Sequence, residues 1–245
     1  MKGIILAAGQ GIRLRPMTDD RPKCMVEYRG VPLIDQIMDT LSACGVSPLV
    51  IVAGYRSDVL ENHVRPQHAR VIINSDFNST NMVHSLFCAE GELTGDILIS
   101  YSDIIYKQEI VQAILDCPAD LAITIDTEWR SLWQLRMDDP LADAETLQLD
   151  CNGCVLDLGR KPSSYDEIQG QYMGLIKISG RIWDQVKWLY QGLDRQKLFD
   201  GKNFSQMYMT TFLMELIQSG IACQSVPIQG GWLEIDAPSD LSLSF

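Results

Sequence analysis

The sequence has no excess of basic residues, since 20 Lys and Arg stand against 32 Asp and Glu and the formal net charge is −12. This charge balance excludes broad binding of nucleic acid or of an anionic membrane, because both require a basic surface. The chain also lacks a run of 18 apolar residues, so we expect no transmembrane helix. No signal peptide precedes the first apolar run, and we expect a cytoplasmic protein.

Neither histidine nor cysteine shows the spacing of a metal or redox site. The three histidines are scattered along the chain, and we assign them no catalytic role. Cys151 and Cys154 have Cys-x-x-Cys spacing, but no second pair accompanies them. The Asn152-Gly153 pair between them is typical of a β-hairpin turn. We therefore predict a hairpin there, and reduced thiols in the apolar surroundings of Cys44, Cys88, Cys117 and Cys223.

The most informative segment lies at residues 2–23. Residues 3–8 form a short apolar run that predicts a buried parallel strand. Gly9 and Gly11 follow, and they allow the backbone to turn tightly and to approach a ligand closely. Backbone N–H groups in such a turn form a concavity that binds anions. Since Arg13, Arg15 and Lys23 add positive charge to an acidic chain, the segment predicts a polyphosphate site.

Two familiar phosphate loops are excluded by spacing, because the third glycine of the dinucleotide fingerprint and the Gly-Lys-Ser/Thr of the P-loop are both missing. Residues 6–18 and Pro22-Lys23 instead resemble the nucleotidyltransferases that make sugar nucleotides and CDP-alcohols, whose signature is LAAG-x-G-x-R-L-x-P-x-T. Ile12 departs from the pattern, since relatives often carry a hydroxyl residue there. The resemblance implies catalytic roles for Lys23 and Arg13, and nucleotide contacts from Leu6, Ala7, Ala8, Gly9, Gly11 and Ser102.

Carboxylates at two places are candidates for a Mg²⁺ site. Asp103 comes directly after a predicted strand at residues 97–101, and Mg²⁺ is commonly held by one or two carboxylates plus phosphates. Residues 230–238 resemble the family's WxxxD or WxD element, which implies that Asp236 is the second ligand, with Glu234 as its alternative. A helix cap at Asp103 and a turn at Asp236 are the structural alternatives.

Further resemblances concern the two substrates. Residues 159–162 and 172–175 look like the family's EKP and TGLY elements, which implies acceptor contacts from Lys161 and Tyr172. Arg160 stands where sugar-nucleotide members place Glu, which argues against a hexose phosphate. Residues 74–86 resemble the bacterial choline-phosphate cytidylyltransferases. Asn81 and Ser85 fall four apart there and predict a base-binding helical face, although an N-capped helix with exposed polar residues fits equally.

Trp129 and Trp133 are also four apart, close to Asp126 and Glu128. Aromatic faces beside carboxylates suit an ammonium group through cation–π attraction, and we predict these two residues as acceptor-binding. Packing in the core is the simpler alternative, because aromatic side chains mainly supply buried area.

The order of predicted elements indicates an α/β fold, Rossmann-like, with a mostly parallel mixed sheet flanked by helices. Strands are predicted at residues 3–8, 48–54, 70–74, 96–101, 120–126, 172–179 and 225–228, and helices at 33–44, 57–64, 81–92, 108–115 and 204–220. A small hairpin at residues 147–150 and 155–158 elaborates the second half. We expect one domain, with a nucleotide-binding half at 1–126 and an acceptor-binding half at 127–245.

These observations predict an Mg²⁺-dependent cytidylyltransferase. It would join CMP from CTP to phosphocholine, phosphoethanolamine, an aminoalkylphosphonate or a phospho-amide, and release pyrophosphate. One alternative is a thymidylyl- or uridylyltransferase acting on a sugar 1-phosphate. Another is a nucleotide-binding regulatory protein without turnover, although Lys23 and the metal carboxylates are all present. We expect a possible homodimer, and neither nucleic acid nor a membrane as partner.

Overall fold

The computed structural model describes residues 1–65 and 67–245 of the chain. Its strands are β1 (Lys2–Ala7), β2 (Glu27–Tyr28), β3 (Val31–Pro32), β4 (Leu49–Ala53), β5 (Ala69–Ile73), β6 (Ile97–Tyr101), β7 (Ile104–Tyr106), β8 (Leu121–Asp126), β9 (Leu147–Leu149), β10 (Val155–Leu158), β11 (Gln171–Ile178), β12 (Cys223–Ile228) and β13 (Trp232–Glu234). Its α-helices are α1 (Leu33–Ala43), α2 (Ser57–His63), α3 (Met82–Cys88), α4 (Gln108–Asp116), α5 (Trp129–Arg136), α6 (Trp183–Gly192) and α7 (Met209–Gln218).

The main sheet has seven strands in the order β12-β8-β11-β6-β1-β4-β5. All neighbouring pairs are parallel except those of β11, which runs antiparallel to both β6 and β8. The central strands are buried along their whole length because helices cover both faces, and this explains their continuous apolar sequences. The predicted mostly parallel mixed sheet flanked by helices is therefore confirmed.

Two layers of apolar side chains enclose this sheet. One layer packs α1, α2, α4 and α5 against it, and the other packs α3, α6 and α7. The parallel strands β1, β4 and β6 point their carboxyl ends to one edge, where ligands bind in open α/β sheets. The segments that leave these strands therefore meet at that edge.

Three small antiparallel strand pairs lie outside the main sheet. The hairpin β9–β10 matches the predicted one, and Gly153 in its turn has φ +78°. The cysteines on either side of that turn are free thiols, as are the other five. The pairs β2–β3 and β7–β13 are too short to be recognised from a period of two, and the sequence did not predict them.

Several predicted boundaries are wrong for local reasons. The helix predicted at 81–92 ends at Cys88 and continues only as a 3₁₀ turn at Glu90–Glu92, next to two residues of low helix propensity, Gly91 and Thr94. The helix predicted at 204–220 is broken into a 3₁₀ turn at Phe204–Gln206 and α7, with extended backbone at Tyr208 between them. Helices α5 and α6 were not predicted, although Trp129, Leu132 and Trp133 have the spacing of a helical face.

Candidate active site

The glycine turn after β1 brings backbone close to a buried lysine. Gly11 has φ +64°, and a Cβ at this position would lie 2.8 Å from the Cβ of Lys23. The hydroxyl of the fully buried Thr18 donates to the carbonyl oxygen of Gly11 at 2.8 Å, and Tyr55 donates to the carbonyl oxygen of Thr18 at 3.1 Å. The turn is thus held from behind, while Gly9 is exposed at its tip.

Lys23 lies between two carboxylates. Its Nζ donates to Oδ2 of Asp103 and to Oδ1 of Asp236, each at 2.7 Å, and only 8 % of the residue is exposed. Burial disfavours the charged amine, but Asp103 and Asp236 outweigh it and raise the pKa of Lys23 above its ordinary value. Arg13, which is exposed, forms a second ion pair with Asp236. The lysine therefore carries a permanent positive charge at the edge of the sheet.

The short pair β7–β13 brings the two aspartates together. Asp103 lies between β6 and β7, and Asp236 is the second residue after the end of β13. Glu234 pairs with Ile104 in the antiparallel register, and the N–H of Ile235 donates to the carbonyl oxygen of Asp103 at 2.8 Å. This register sets residues that are far apart in sequence side by side.

The pair of aspartates fits a divalent cation that also binds phosphate. Both carboxylates converge on one ammonium group, and Oδ1 of Asp103 is buried without a hydrogen-bond partner among the described residues. No cluster of three or more His, Cys, Asp or Glu suited to a metal occurs in residues 1–65 and 67–245. Two carboxylates are what a cation needs when nucleotide phosphates and water supply its other ligands.

Glu234 is engaged elsewhere, in a network around Arg136. Nη1 of Arg136 lies 2.7 Å from Oε2 of Glu234, and Nε lies 3.2 Å from Oδ1 of the buried Asp240. The other oxygen of Asp240 accepts the N–H groups of Asp236 and Ala237 at 2.8 Å each. Burial together with the charge of Asp103 raises the pKa of Glu234, and Arg136 opposes that rise. Arg136 thus holds the backbone that carries Asp236.

A first cavity opens beside the glycine turn. The predicted residues Leu6, Ala8, Gly9, Lys23, Asn81, Ser85, Ser102 and Asp103 line it, together with Phe77, Thr80, Met82 and Tyr101. Ala7 and Gly11 do not line it, because Ala7 faces the core of the sheet and Gly11 packs on Lys23. The cavity combines main chain, a fixed cation and small polar side chains, which suits a nucleotide polyphosphate.

The far wall of this first cavity comes from the start of α3. Asn81 is the N-cap, and its Oδ1 accepts the N–H of Met82 at 2.8 Å. Ser85 is buried and accepts a hydrogen bond from Nδ2 of the buried Asn74 at 3.0 Å. The alternative of exposed polar residues is therefore wrong for Ser85.

A second cavity, of about 210 Å³, adjoins the first and shares Asn81, Met82 and Tyr101 with it. Its remaining lining residues are Ile104, Trp133, Asp143, Glu145, Gln171, Tyr172, Met173, Tyr208, Met209, Thr210, Trp232 and Glu234. Gly174 allows this arrangement, since its φ is +100° and a Cβ there would lie 2.7 Å from the ring of Tyr101. The predicted residues Trp133, Tyr172 and Glu234 thus come together in one cavity.

Trp129 and Lys161 are placed differently. Trp129 is buried against Trp133 and Tyr165, with ring centroids 5.9 and 6.1 Å away, and does not line the second cavity. Nζ of the exposed Lys161 donates to the carbonyl oxygens of Leu141 and Ala142. Neither residue is brought to the aspartates in this structure, and their acceptor roles stay predictions.

Sequence reasoning missed most of the second cavity. Tyr101, Glu145, Gln171 and Trp232 come from four different strands and turns, and the first three belong to no recognisable motif. Trp232 is fixed by Asp126, whose Oδ2 accepts its indole N–H at 2.9 Å. The Trp232 of the WxxxD element was the one available signal.

Comparison with known proteins shows the family of the chain. Residues 3–187 match the model of the MobA-like NTP transferase domain. The chain is 44 % identical over 250 residues to the CTP:phosphoglutamine cytidylyltransferase of Campylobacter jejuni, covering 99 % of this chain and 98 % of that protein. It is also 33 % identical over 107 residues to the choline-phosphate cytidylyltransferase of Streptococcus pneumoniae, covering 44 % and 47 % of the two chains.

Solved structures share the fold at lower identity. The inositol-1-phosphate CTP transferase from T. maritima superposes with a TM-score of 0.74 at 19 % identity, covering 98 % of this chain and 90 % of that one. The CTP:phosphocholine cytidylyltransferase from Streptococcus pneumoniae gives a TM-score of 0.70 at 18 % identity, covering 98 % and 95 %. None of the helices in the described part of the chain is long and apolar enough to cross a bilayer. From the match over residues 3–187 and the full-length relative, the chain belongs to the MobA-like NTP transferase family.

Proposed function

We propose that the protein transfers CMP from CTP to the phosphate group of a small acceptor and releases pyrophosphate. The observation that carries this proposal is the convergence of Lys23, Asp103 and Asp236, the first two of which line the first cavity. The extensive similarity to a CTP:phosphoglutamine cytidylyltransferase supports CTP as the donor and a phospho-amide or phospho-amino acid as the acceptor. Because CTP is a cytoplasmic metabolite, we place the reaction in the cytoplasm.

The chemistry requires positioning and charge neutralisation. An anionic oxygen of the acceptor phosphate attacks the α-phosphorus of CTP in line, the bond to the bridging oxygen breaks, and pyrophosphate leaves with the electron pair. The nucleophile is already ionised, so no general base is needed. Lys23, which remains protonated, donates to the α-phosphate as negative charge develops. Arg13 and the backbone N–H groups of the glycine turn hold the β- and γ-phosphates.

We propose Mg²⁺ as the cofactor, held by Asp103 and Asp236. When bound it would supply positive charge to the phosphate oxygens. Lys23 lies between the same carboxylates in the free protein, and it therefore has to turn from them toward the nucleotide. Glu234 is the weaker candidate ligand, since Arg136 already neutralises it.

Asn81 supports the preference for cytosine. Its Oδ1 caps α3 and its Nδ2 donates to the carbonyl oxygen of Gln206 at 3.5 Å, which leaves one amide N–H to donate to a base in the first cavity. Cytosine presents an unprotonated ring nitrogen and a carbonyl oxygen as acceptors, whereas uracil and thymine present a ring N–H at the same nitrogen. A buried donor that meets another donor is costly, and such mismatches discriminate strongly.

Arg160 argues against the sugar 1-phosphate alternative. Its guanidinium pairs with Asp157 at 2.7 Å, and the residue does not line the second cavity. The regulatory alternative requires a lost catalytic group, and Lys23, Asp103 and Asp236 are all present and in contact. Turnover is therefore the better proposal.

The experiment is a pyrophosphate-release assay with each of the common NTPs and a panel of phosphate-bearing acceptors. We expect turnover with CTP and phosphoglutamine, and much less with UTP, dTTP or hexose 1-phosphates. Asn81→Asp keeps the cap oxygen and removes the amide donor, so it should weaken discrimination between CTP and UTP about tenfold at little cost in melting temperature. Equal wild-type rates with CTP and UTP would contradict the proposal.

A further inference from the structure

The second cavity has an unbalanced charge. Asp143, Glu145 and Glu234 line it, and no Lys, Arg or His does so among the described residues. Arg136 neutralises Glu234, whereas no ion pair within the described chain involves Glu145. A cavity of this kind repels an anion and attracts a cation. The phosphate of an acceptor therefore belongs at the other end, beside Lys23.

Glu145 is held in place by its backbone. The amide side chain of the buried Gln171 accepts the N–H of Glu145 at 3.0 Å and donates to its carbonyl oxygen at 2.6 Å. This reciprocal pair fixes the main chain and leaves the carboxylate of Glu145 without a hydrogen-bond donor in the described protein. Burial, together with Asp143 and Glu234, raises the pKa of Glu145 to about 7. The half-buried carboxylate thus has no charged partner in the described protein.

The walls around Glu145 are aromatic. Trp133, Trp232, Tyr101 and Tyr172 line the same cavity, and the ring centroids of Trp133 and Trp232 are 6.1 Å apart. Such faces attract an ammonium group. Two buried donors in this wall, Nε1 of Trp133 and the hydroxyl of Tyr172, have no hydrogen-bond partner among the described residues. Both atoms can donate, so they would suit an uncharged oxygen of a ligand in this wall.

We propose that Glu145 binds the protonated amine of the acceptor, so that the enzyme selects phosphorylated compounds of amino-acid type with the amine remote from the phosphate. This inference rests on the proposed cytidylyltransferase function and assigns a specificity-determining residue within it. Gln171 acts as the positioning residue for Glu145 through the two backbone hydrogen bonds.

The test compares two acceptors that differ only in the amine: phosphoglutamine and its analogue without the α-amine. Glu145→Gln keeps the size of the side chain and removes its charge. We expect the KM of the variant for phosphoglutamine to rise roughly 10- to 100-fold, as for the loss of a hydrogen bond between charged groups. The KM for CTP and the KM for the analogue should change less than about twofold, within the range of surface substitutions. Glu145→Asp keeps the charge and should retain a clear preference for the amine.

The control is Asp138→Asn, which removes an exposed carboxylate outside both cavities. It should leave all three KM values unchanged. An equal rise of KM for both acceptors in Glu145→Gln, or no rise, overturns the role of Glu145 while the cytidylyltransferase function stands. If the wild type releases pyrophosphate from CTP with neither acceptor nor with phosphoethanolamine, the proposed function fails, and this inference fails with it.

Discussion

The two cavities that share Tyr101 are built from different materials. The first is formed by main chain at residues 6–9, a fixed ammonium group and small polar side chains. The second is formed by side chains from separate strands, helices and turns, most of them aromatic or acidic. A polyphosphate is bound by N–H groups and fixed cations, which any sequence with the right turn provides. A small organic acceptor has to be selected by particular side chains, since only these present a distinctive shape and charge.

The difference in charge also orients the acceptor. Lys23 and Arg13 lie on the nucleotide side, and the three carboxylates line the other side. An acceptor with a phosphate at one end and an amine at the other lies across the junction in one direction only. Substitutions in either cavity should therefore weaken the difference in charge between them.

The largest effect is expected when an aspartate at the junction is replaced. Asp103→Asn and Asp236→Asn should each lower kcat by on the order of 10³-fold or more, because the charge that holds the divalent cation contributes several kcal/mol in the transition state. Isothermal titration with Mg²⁺ and CTP should show weakened metal binding in both variants. The fold should survive, as measured by circular dichroism. Full activity of either variant in EDTA would exclude the metal from the site.

Lys23→Ala should remove the cation of the first cavity only. Loss of one donor to developing charge costs roughly 10²–10³-fold in kcat. The KM for the acceptor should rise less than kcat falls, because the acceptor's amine keeps the carboxylates that line the second cavity. Arg21→Ala is the control, since Arg21 is half-buried, lines neither cavity and pairs with its neighbour Asp20 within the described chain. A change confined to the KM for CTP would make Lys23 a binding residue.

A smaller effect tests the link between Asp236 and Arg136, whose partner Glu234 lines the second cavity. Arg136→Lys keeps the positive charge and loses the planar fork that reaches both Glu234 and Asp240. We expect the Mg²⁺ concentration for half-maximal activity to rise roughly 10- to 100-fold, as when a group that orients a metal ligand is lost. Arg130→Lys is the control on the same helix, where an exposed Arg lies over the ring of Tyr165. An unchanged Mg²⁺ requirement would mean that Asp236 does not depend on this network.

The smallest effect concerns stability and the acidic cavity alone. A Glu whose pKa is raised by folding takes up a proton when the chain folds. Its contribution to the free energy of unfolding is therefore full below its pKa in the unfolded chain, and it is lost as the pH rises through about 7. Between about pH 5 and pH 8, the free energy of unfolding of the wild type should fall by about 1–3 kcal/mol relative to Glu145→Gln. Urea denaturation at both pH values measures this. Parallel curves for the two proteins would show that the cavity does not perturb Glu145.

The same contrast explains what the sequence predicted well. The cavity proposed for the polyphosphate is lined in part by residues from 6–23, which are close in sequence and carry a recognisable spacing, so Leu6, Ala8, Gly9 and Lys23 could be predicted to lie there. The fully buried strands β1, β4, β6 and β8 were visible as apolar runs. Asp103 was predicted because it directly follows such a strand.

The acceptor side was predicted poorly for a physical reason. Glu145 and Gln171 are brought together by two hydrogen bonds between the Gln171 side chain and the Glu145 backbone, across 26 residues, and no local pattern encodes that contact. Trp129 and Trp133 share one helical face, yet only Trp133 reaches the cavity, because Tyr165 packs on Trp129. Arg136 belongs to no recognisable motif, although it pairs with Glu234 and Asp240.

The antiparallel pair β7–β13 affects the order in which the protein folds while it is being translated. Asp103 is made before half of the chain has been translated, but its partner Asp236 arrives only with β13, and the cap from Asp240 comes later still. Contacts of such long sequence separation form late, since the loop between them has to close first. A nascent chain can complete the strands β1, β4, β5 and β6 on the ribosome while the paired acids remain apart. We expect catalytic competence to appear abruptly near the end of translation, after the sheet is in place.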